Sequence, residues 1–182
     1  MKKLFVFLVL SLSALSLVAQ ASKPLYEQVA KWTIGGEGSW DYLTLDPAGN
    51  RLFIAHGSNI VVVDLGTGKQ IGEIAAAGAH GIALVQEKHL GFSTNGRAGT
   101  VTVFDSQTLK PLSDIKVGEN PDAIIYDPYS KHIIVMNGRS KDVMAIDPAN
   151  SKVAATVPLG GKLEFAAADA GHVYVNVEDT GE

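Results

Sequence analysis

"IVVVDLGTGK", residues 60–69, is an apolar run that closes on an Asp and passes into a Gly-containing turn. The pattern returns as "VTVFDSQTLK" at 101–110 and as "VMAIDPANSK" at 143–152. Aligned on Val63-Asp64, Phe104-Asp105 and Ile146-Asp147, the copies stand 41 and then 42 residues apart. A fixed spacing of this size marks a repeat architecture, in which one unit buries its apolar face only against its neighbours. Other landmarks keep step. Gly68-Lys69, Leu109-Lys110 and Ser151-Lys152 follow each Asp at one distance, and Ile74, Ile115 and Val157 close each unit. Asp46-Pro47 and Asp127-Pro128 occupy equivalent places, where the other units carry Gln86-Glu87 and Asp169-Ala170.

Inside a unit the texture is short β-type runs between turns. In the third unit the runs are "DAIIYD", "HIIVMN", "DVMAID" and "KVAATV", separated by "PYSK", "GRSK" and "PANS". Those connectors are rich in residues that make turns. Beyond the N-terminal leader no stretch sustains a 3.6-residue period. Four antiparallel strands per unit of about 40–45 residues is the spacing of a β-propeller blade. The expected fold is therefore all-β, with units over 35–75, 76–116, 117–158 and 159–182, or about 3.5 blades. "VVVD" becomes the third strand of a blade. The Asp after each such strand accepts backbone N–H groups two residues on and holds the reversal, which makes these aspartates structural.

Residues 1–21 have the layout of a cleavable export signal: Lys2 and Lys3, an apolar stretch from Leu4 to Val18, then Ala19-Gln20-Ala21. The apolar stretch is short for a bilayer span, which needs about 20 residues. Cleavage leaves one domain over 22–182, placed in the periplasm or outside the cell, with no stable membrane insertion. The chain contains no Cys, which removes disulfides, thiolate metal sites, Cys nucleophiles and a lipid-modified Cys. Its formal charge is −4, and loss of Lys2 and Lys3 takes it to −6. That sign argues against nucleic acid, whose binding rests on neutralised phosphates.

The third unit, "VGENPDAIIYDPYSKHIIVMNGRSKDVMAIDPANSKVAATVPLG", resembles the YVTN-type, YncE-like propeller repeat. The tetrad that names the repeat is filled by Phe53-Ile54-Ala55-His56, Phe92-Ser93-Thr94-Asn95, Ile134-Val135-Met136-Asn137 and Tyr174-Val175-Asn176-Val177. His56 and Val177 replace the Asn, and His80 stands where the third unit has Pro121. The resemblance covers residues 35–182 and implies part of a ring of seven or so blades, so the chain is expected to be a portion of a longer propeller, with a four-bladed closure lacking one strand as the alternative. Self-association is expected if it stands alone. Residues 26–36, "YEQVAKWTIGG", resemble an outer strand such as "GKQIGEIAAAG" and are expected to complete another blade.

Loops on a rigid scaffold are the default place for binding. The loops entering each first strand and joining second to third strands share one face, beside the channel. Their candidate ligand-binding residues are Trp40, His56, His80, Asn95, Arg97, Asn137, Arg139 and Lys141. Each also has a plain structural role: Trp40 as packing, Asn95 and Asn137 as Asn-Gly turn residues, and the cations as solvated charge. Arg97 and Arg139 fall in equivalent loops one blade apart, where a shared anion contact suits the guanidinium fork. His56 and His80 form at most a two-ligand pair, short of a metal site. No G-x-S-x-G elbow or Walker-type loop is present, and no catalytic residue or cofactor is assigned. The expected function is binding of a protein or small-molecule partner on the channel face. Lactonase-like or quinoprotein-like enzymes, and surface adhesion modules, are the alternatives that the resemblance implies.

Overall fold

The computed structural model describes residues 25–182, so the expected export signal lies outside the described residues. The chain divides into a unit ending at Lys31, whose described residues carry no strand, and a unit over Trp32–Glu182 that carries all of them. Among the described residues no helix is long and apolar enough to cross a membrane.

The strands form successive antiparallel meanders. The first sheet is β1 (Trp40–Asp46), β2 (Arg51–His56), β3 (Asn59–Asp64) and β4 (Gln70–Ala75). The second is β5 (Ala79–Val85), β6 (Leu90–Asn95), β7 (Thr100–Asp105) and β8 (Pro111–Lys116), with a 3-10 turn at Gln86–Lys88. The third is β9 (Pro121–Asp127), β10 (His132–Asn137), β11 (Asp142–Asp147) and β12 (Lys152–Pro158). β13 (Leu163–Asp169) and β14 (His172–Val177) begin a fourth. In the full sheets the hydrogen-bonded order equals the chain order, and innermost strands pack in sequence: β1 on β5, β5 on β9, β9 on β13.

Strand alternation decides which sheet each side chain meets. In β10, Ile133 and Val135 join a core with Phe92, Val101 and Val103 of the second sheet. Their neighbours Ile134 and Met136 point the other way, to Leu163 and Ala166 of the fourth. Both faces of a middle sheet are therefore buried, which is why its strands read as continuous apolar runs rather than alternating ones. Phe53, Phe92 and Phe104 are fully buried, each such ring contributing about 1.5–3 kcal/mol by removal from water.

The turn aspartates do what the repeat demands. Asp64 Oδ1 accepts from the Thr67 N–H at 2.8 Å and its hydroxyl at 2.7 Å. Asp105 Oδ1 accepts from the N–H groups of Gln107 and Thr108, and Asp147 Oδ1 from that of Ala149. Asp46 Oδ1 accepts from the Gly49 N–H and from Gln86 Nε2 in the turn after β5, while Oδ2 accepts from the Arg51 guanidinium at 2.9 and 2.5 Å. Four residues after each strand-ending Asp the backbone turns left-handed, at Gly68 (φ 68°), Leu109 (φ 61°) and Ser151 (φ 56°).

Residues 26–36 form no strand, contrary to the expectation from their likeness to an outer strand. A strand needs a partner edge for its backbone groups; what this segment offers instead is side-chain packing. Ile34 packs against Ile54, Val61 and Val63 on the first sheet's outer face. The Trp32 indole lies so close to Gly68 that a Cβ there would overlap it.

Candidate functional site

The connections between second and third strands and between successive sheets interlock on one face. The Gly96 N–H donates to Gly78 O, the Gly138 N–H to Asn120 O, and the Leu159 N–H to Lys141 O. This is the face where the sequence placed its candidates, and the interlocking makes it a fixed surface rather than a set of free loops.

Arg97 and Arg139 come together there. Both line a cavity of about 520 Å³ with Lys116, Glu119, Asn120 and Ser140. Neither guanidinium has an ion pair or side-chain hydrogen bond among the described residues. Lys141 and Lys162 line an adjoining cavity of about 280 Å³ that also includes Asn120 and Arg139. Lys141 reaches Asp179 at 3.8 Å, and Lys162 is engaged by Glu178 and by Glu164 at 3.8 Å. The wider cavity thus holds cations from the second and third sheets against the single carboxylate of Glu119, a local excess on a chain of charge −4.

A second cluster sits at the start of the innermost strands. The second residue of each is chargeable: Asp41 in β1, His80 in β5, Asp122 in β9 and Glu164 in β13. His80 Nδ1 lies 2.7 Å from Asp41 Oδ2 and 3.5 Å from Asp122 Oδ1. One ligand atom from each of Asp41, His80 and Asp122 falls within 4.8 Å of the others, and among the described residues no other such three-residue group occurs. Burial holds the Asp122 carboxyl above its ordinary value; Asp41 and Glu178 add to this, opposed by His80 and Lys162. Burial and then Asp122 do the same to Glu164, and burial followed by Glu164, Asp122 and Asp41 raises Tyr42. Gly96 is required by close approach, since a Cβ there would lie 2.7 Å from His80 Nε2.

Of the sequence candidates, the structure brings Arg97, Arg139 and Lys141 to neighbouring cavities and His80 to the axial cluster. His56 does not join His80. Its ring stacks on Trp40 with centroids 3.8 Å apart, and Nε2 is buried without a partner. Trp40 keeps 46% of its surface exposed and borders an apolar recess with Trp32, Leu43 and Ile54. Asn95 and Asn137 are buried, and they do not act through positive φ. Left-handed backbone falls instead at the loop ends, Gly99 and Lys141. Asn95 Nδ2 donates to the Thr100 and Thr102 hydroxyls and Asn137 Nδ2 to Asp142, pinning second strand to third. Asp41, Asp122 and Glu164 escaped the sequence reading. The repeat itself carried the signal, because all three share the register of His80; the ladders pair Ala79 with Asn95 as they pair Pro121 with Asn137, so His80 is equivalent to Asp122 and not, as the sequence alignment has it, to Pro121.

No protein-family model and no curated protein matches the chain. Solved structures do. The chain is similar to Kuenenia stuttgartiensis hydrazine synthase, with TM-score 0.67 and 22% identity over 78% of this chain and 42% of that one. It is similar to the WD40 β-propeller domain of Doa1, with TM-score 0.67 and 16% identity over 78% of this chain and 48% of that domain. It is also similar to the WD40 repeats of RRP9, with TM-score 0.65 and 12% identity over 72% and 42% of the respective chains. The chain spans less than half the length of each. Likeness at these identities concerns fold alone, and with the stacked meander sheets it establishes the architecture as that of a β-propeller.

Proposed function

We propose that this chain belongs to an exported propeller of YVTN-type repeats that binds a partner on its channel-side loop face, through an acidic segment of that partner. The observation that carries this is the cavity where Arg97 and Arg139, from equivalent loops of adjacent blades, stand without ion-pair or side-chain hydrogen-bond partners among the described residues. A planar guanidinium pairs with a carboxylate through two parallel hydrogen bonds, and two of them on a rigid frame fix direction as well as charge. Negative charge elsewhere on the chain steers acidic partners toward this one patch. The Asn120 and Ser140 side chains beside the arginines supply neutral hydrogen bonding that fixes orientation.

A hexaglutamate peptide titrated into the chain by calorimetry tests this. Binding is expected to weaken steeply between low and physiological salt. It is expected to drop at least tenfold in Arg97→Gln/Arg139→Gln, with the melting temperature kept within about 2 °C because neither side chain supports the core. Equal affinity in the double variant overturns the proposal.

A further inference from the structure

We infer that Asp41, His80 and Asp122 form a site for a divalent first-row cation of zinc type at the channel end of the innermost strands. This site adjoins the arginine cavity, whose Gly96 lies against the His80 ring, but it uses neither Arg97 nor Arg139. The donor set is one imidazole nitrogen and two carboxylates, a combination these ions accept. The residues come from three successive blades at one register position. Their convergence is therefore a product of the propeller rather than of a local turn, and a rigid scaffold sets their separation.

The distances fit an ion entering with little movement. Zinc holds nitrogen and oxygen ligands at about 2.0–2.2 Å, so adjacent tetrahedral ligand atoms stand about 3.4 Å apart. His80 Nδ1 and Asp122 Oδ1 are already 3.5 Å apart. Asp41 Oδ2, at 2.7 Å from the same nitrogen, needs to withdraw by less than an ångström, a side-chain rotation for a residue one-third exposed. His80 is likewise one-third exposed, leaving an open side for solvent as a fourth ligand.

Local charge favours a cation. Asp41, Asp122, Glu164 and Glu178 crowd this end of the strands, and the nearby Lys162 is already engaged by Glu164 and Glu178. Among the described residues His80 is the one basic group within 4 Å of Asp41 and Asp122. A divalent ion relieves that repulsion without displacing any core contact.

The test is calorimetric titration of the whole chain with zinc chloride and, separately, calcium chloride, in wild type, His80→Gln and Asp122→Asn. One zinc per chain at micromolar affinity or tighter is expected. Each variant is expected to lose at least tenfold, and calcium to bind far more weakly because the imidazole selects against it. Circular dichroism guards against misfolding. Zinc is also expected to raise the melting temperature of wild type but not of folded His80→Gln. Absence of zinc binding, or binding unchanged in both variants, overturns the inference.

Discussion

At the scale of single residues, the repeat acts through backbone geometry more than through residue identity. Gly68, Leu109 and Ser151 share a left-handed conformation, yet only the first is a residue to which that costs nothing. Leu109 offsets its cost by packing onto the core beside Gly72; Ser151 has no such return. Ser151→Gly is expected to stabilise by about 0.5–1 kcal/mol, the left-handed penalty less the added chain entropy; a melting temperature that falls speaks against this. Carboxylates divide by sign. Hydrogen bonds led by Thr67 lower Asp64, those led by Thr108 lower Asp105, and those led by Ser130 lower Asp127. In Asp46 burial pushes upward, but the Gly49, Arg51 and Gln86 contacts outweigh it. A carboxyl lowered by folding contributes stability above its unfolded value of about 3.9, lost as pH falls through the folded value. Asp122 and Glu164, raised by burial, act in reverse and gain on protonation. Thermal melts from pH 7 downward are expected to rise slightly, then collapse below about pH 4, with the initial rise reduced in Asp122→Asn. A monotonic fall from neutrality contradicts this division. The turn aspartates were legible in the sequence because each acts within its own turn. Asp41 and Asp122 were not, because their meaning depends on a neighbour about forty residues away.

Between elements, strands of one blade are matched by volume, and successive blades are tied by apolar cores and a few long-range polar contacts. Gly91 faces Phe104 across the β6–β7 ladder, and a Cβ there would overlap the Phe104 ring, which is fully buried. Gly91→Ala is thus expected to cost about 1–3 kcal/mol as overpacking, and Gly91→Ala/Phe104→Leu to recover part of it, as denaturant unfolding measures. No recovery places the strain elsewhere. The second and third blades are also tied by the Tyr126 hydroxyl, which donates to Glu87 Oε1 at 2.5 Å. That bond pushes the Tyr126 pKa up to about 12, so its contribution is whole below the ordinary phenol value of about 10 and fades as pH rises through the folded value. Absorbance titration is expected to show a late phenol that disappears in Tyr126→Phe and returns to the ordinary range in Glu87→Gln. Persistence of that phase in Tyr126→Phe assigns it to another tyrosine. Strand order and sheet number followed from the period alone. The residues 26–36 did not follow, because likeness to an outer strand does not say whether an edge is present to receive the backbone.

At the scale of the molecule, the blades present unlike surfaces. On the outer face of the first sheet Leu43 and Leu45 are 62% and 59% exposed, and on the last sheet Phe165 and Tyr174 are 45% and 63% exposed. Stacked middle blades bury the equivalent faces. The 182-residue chain is therefore expected to self-associate, and Leu43→Ser/Leu45→Ser to reduce the mass seen by light scattering; a monomer at high micromolar concentration contradicts this. The proposed function rests on the contrast between the two sets of loops. Tight turns, most of them Asp-centred, close one end of the blades, while the other end carries Arg97, Arg139 and the Asp41–His80–Asp122 cluster. Hydrogen exchange over the whole chain, with and without hexaglutamate, tests that division most directly. Slowed exchange is expected across 96–99, 116–120 and 138–141, with the turns at 47–50, 65–69 and 128–131 unaffected. Protection centred on those Asp-turns, or none on the arginine loops, would contradict it.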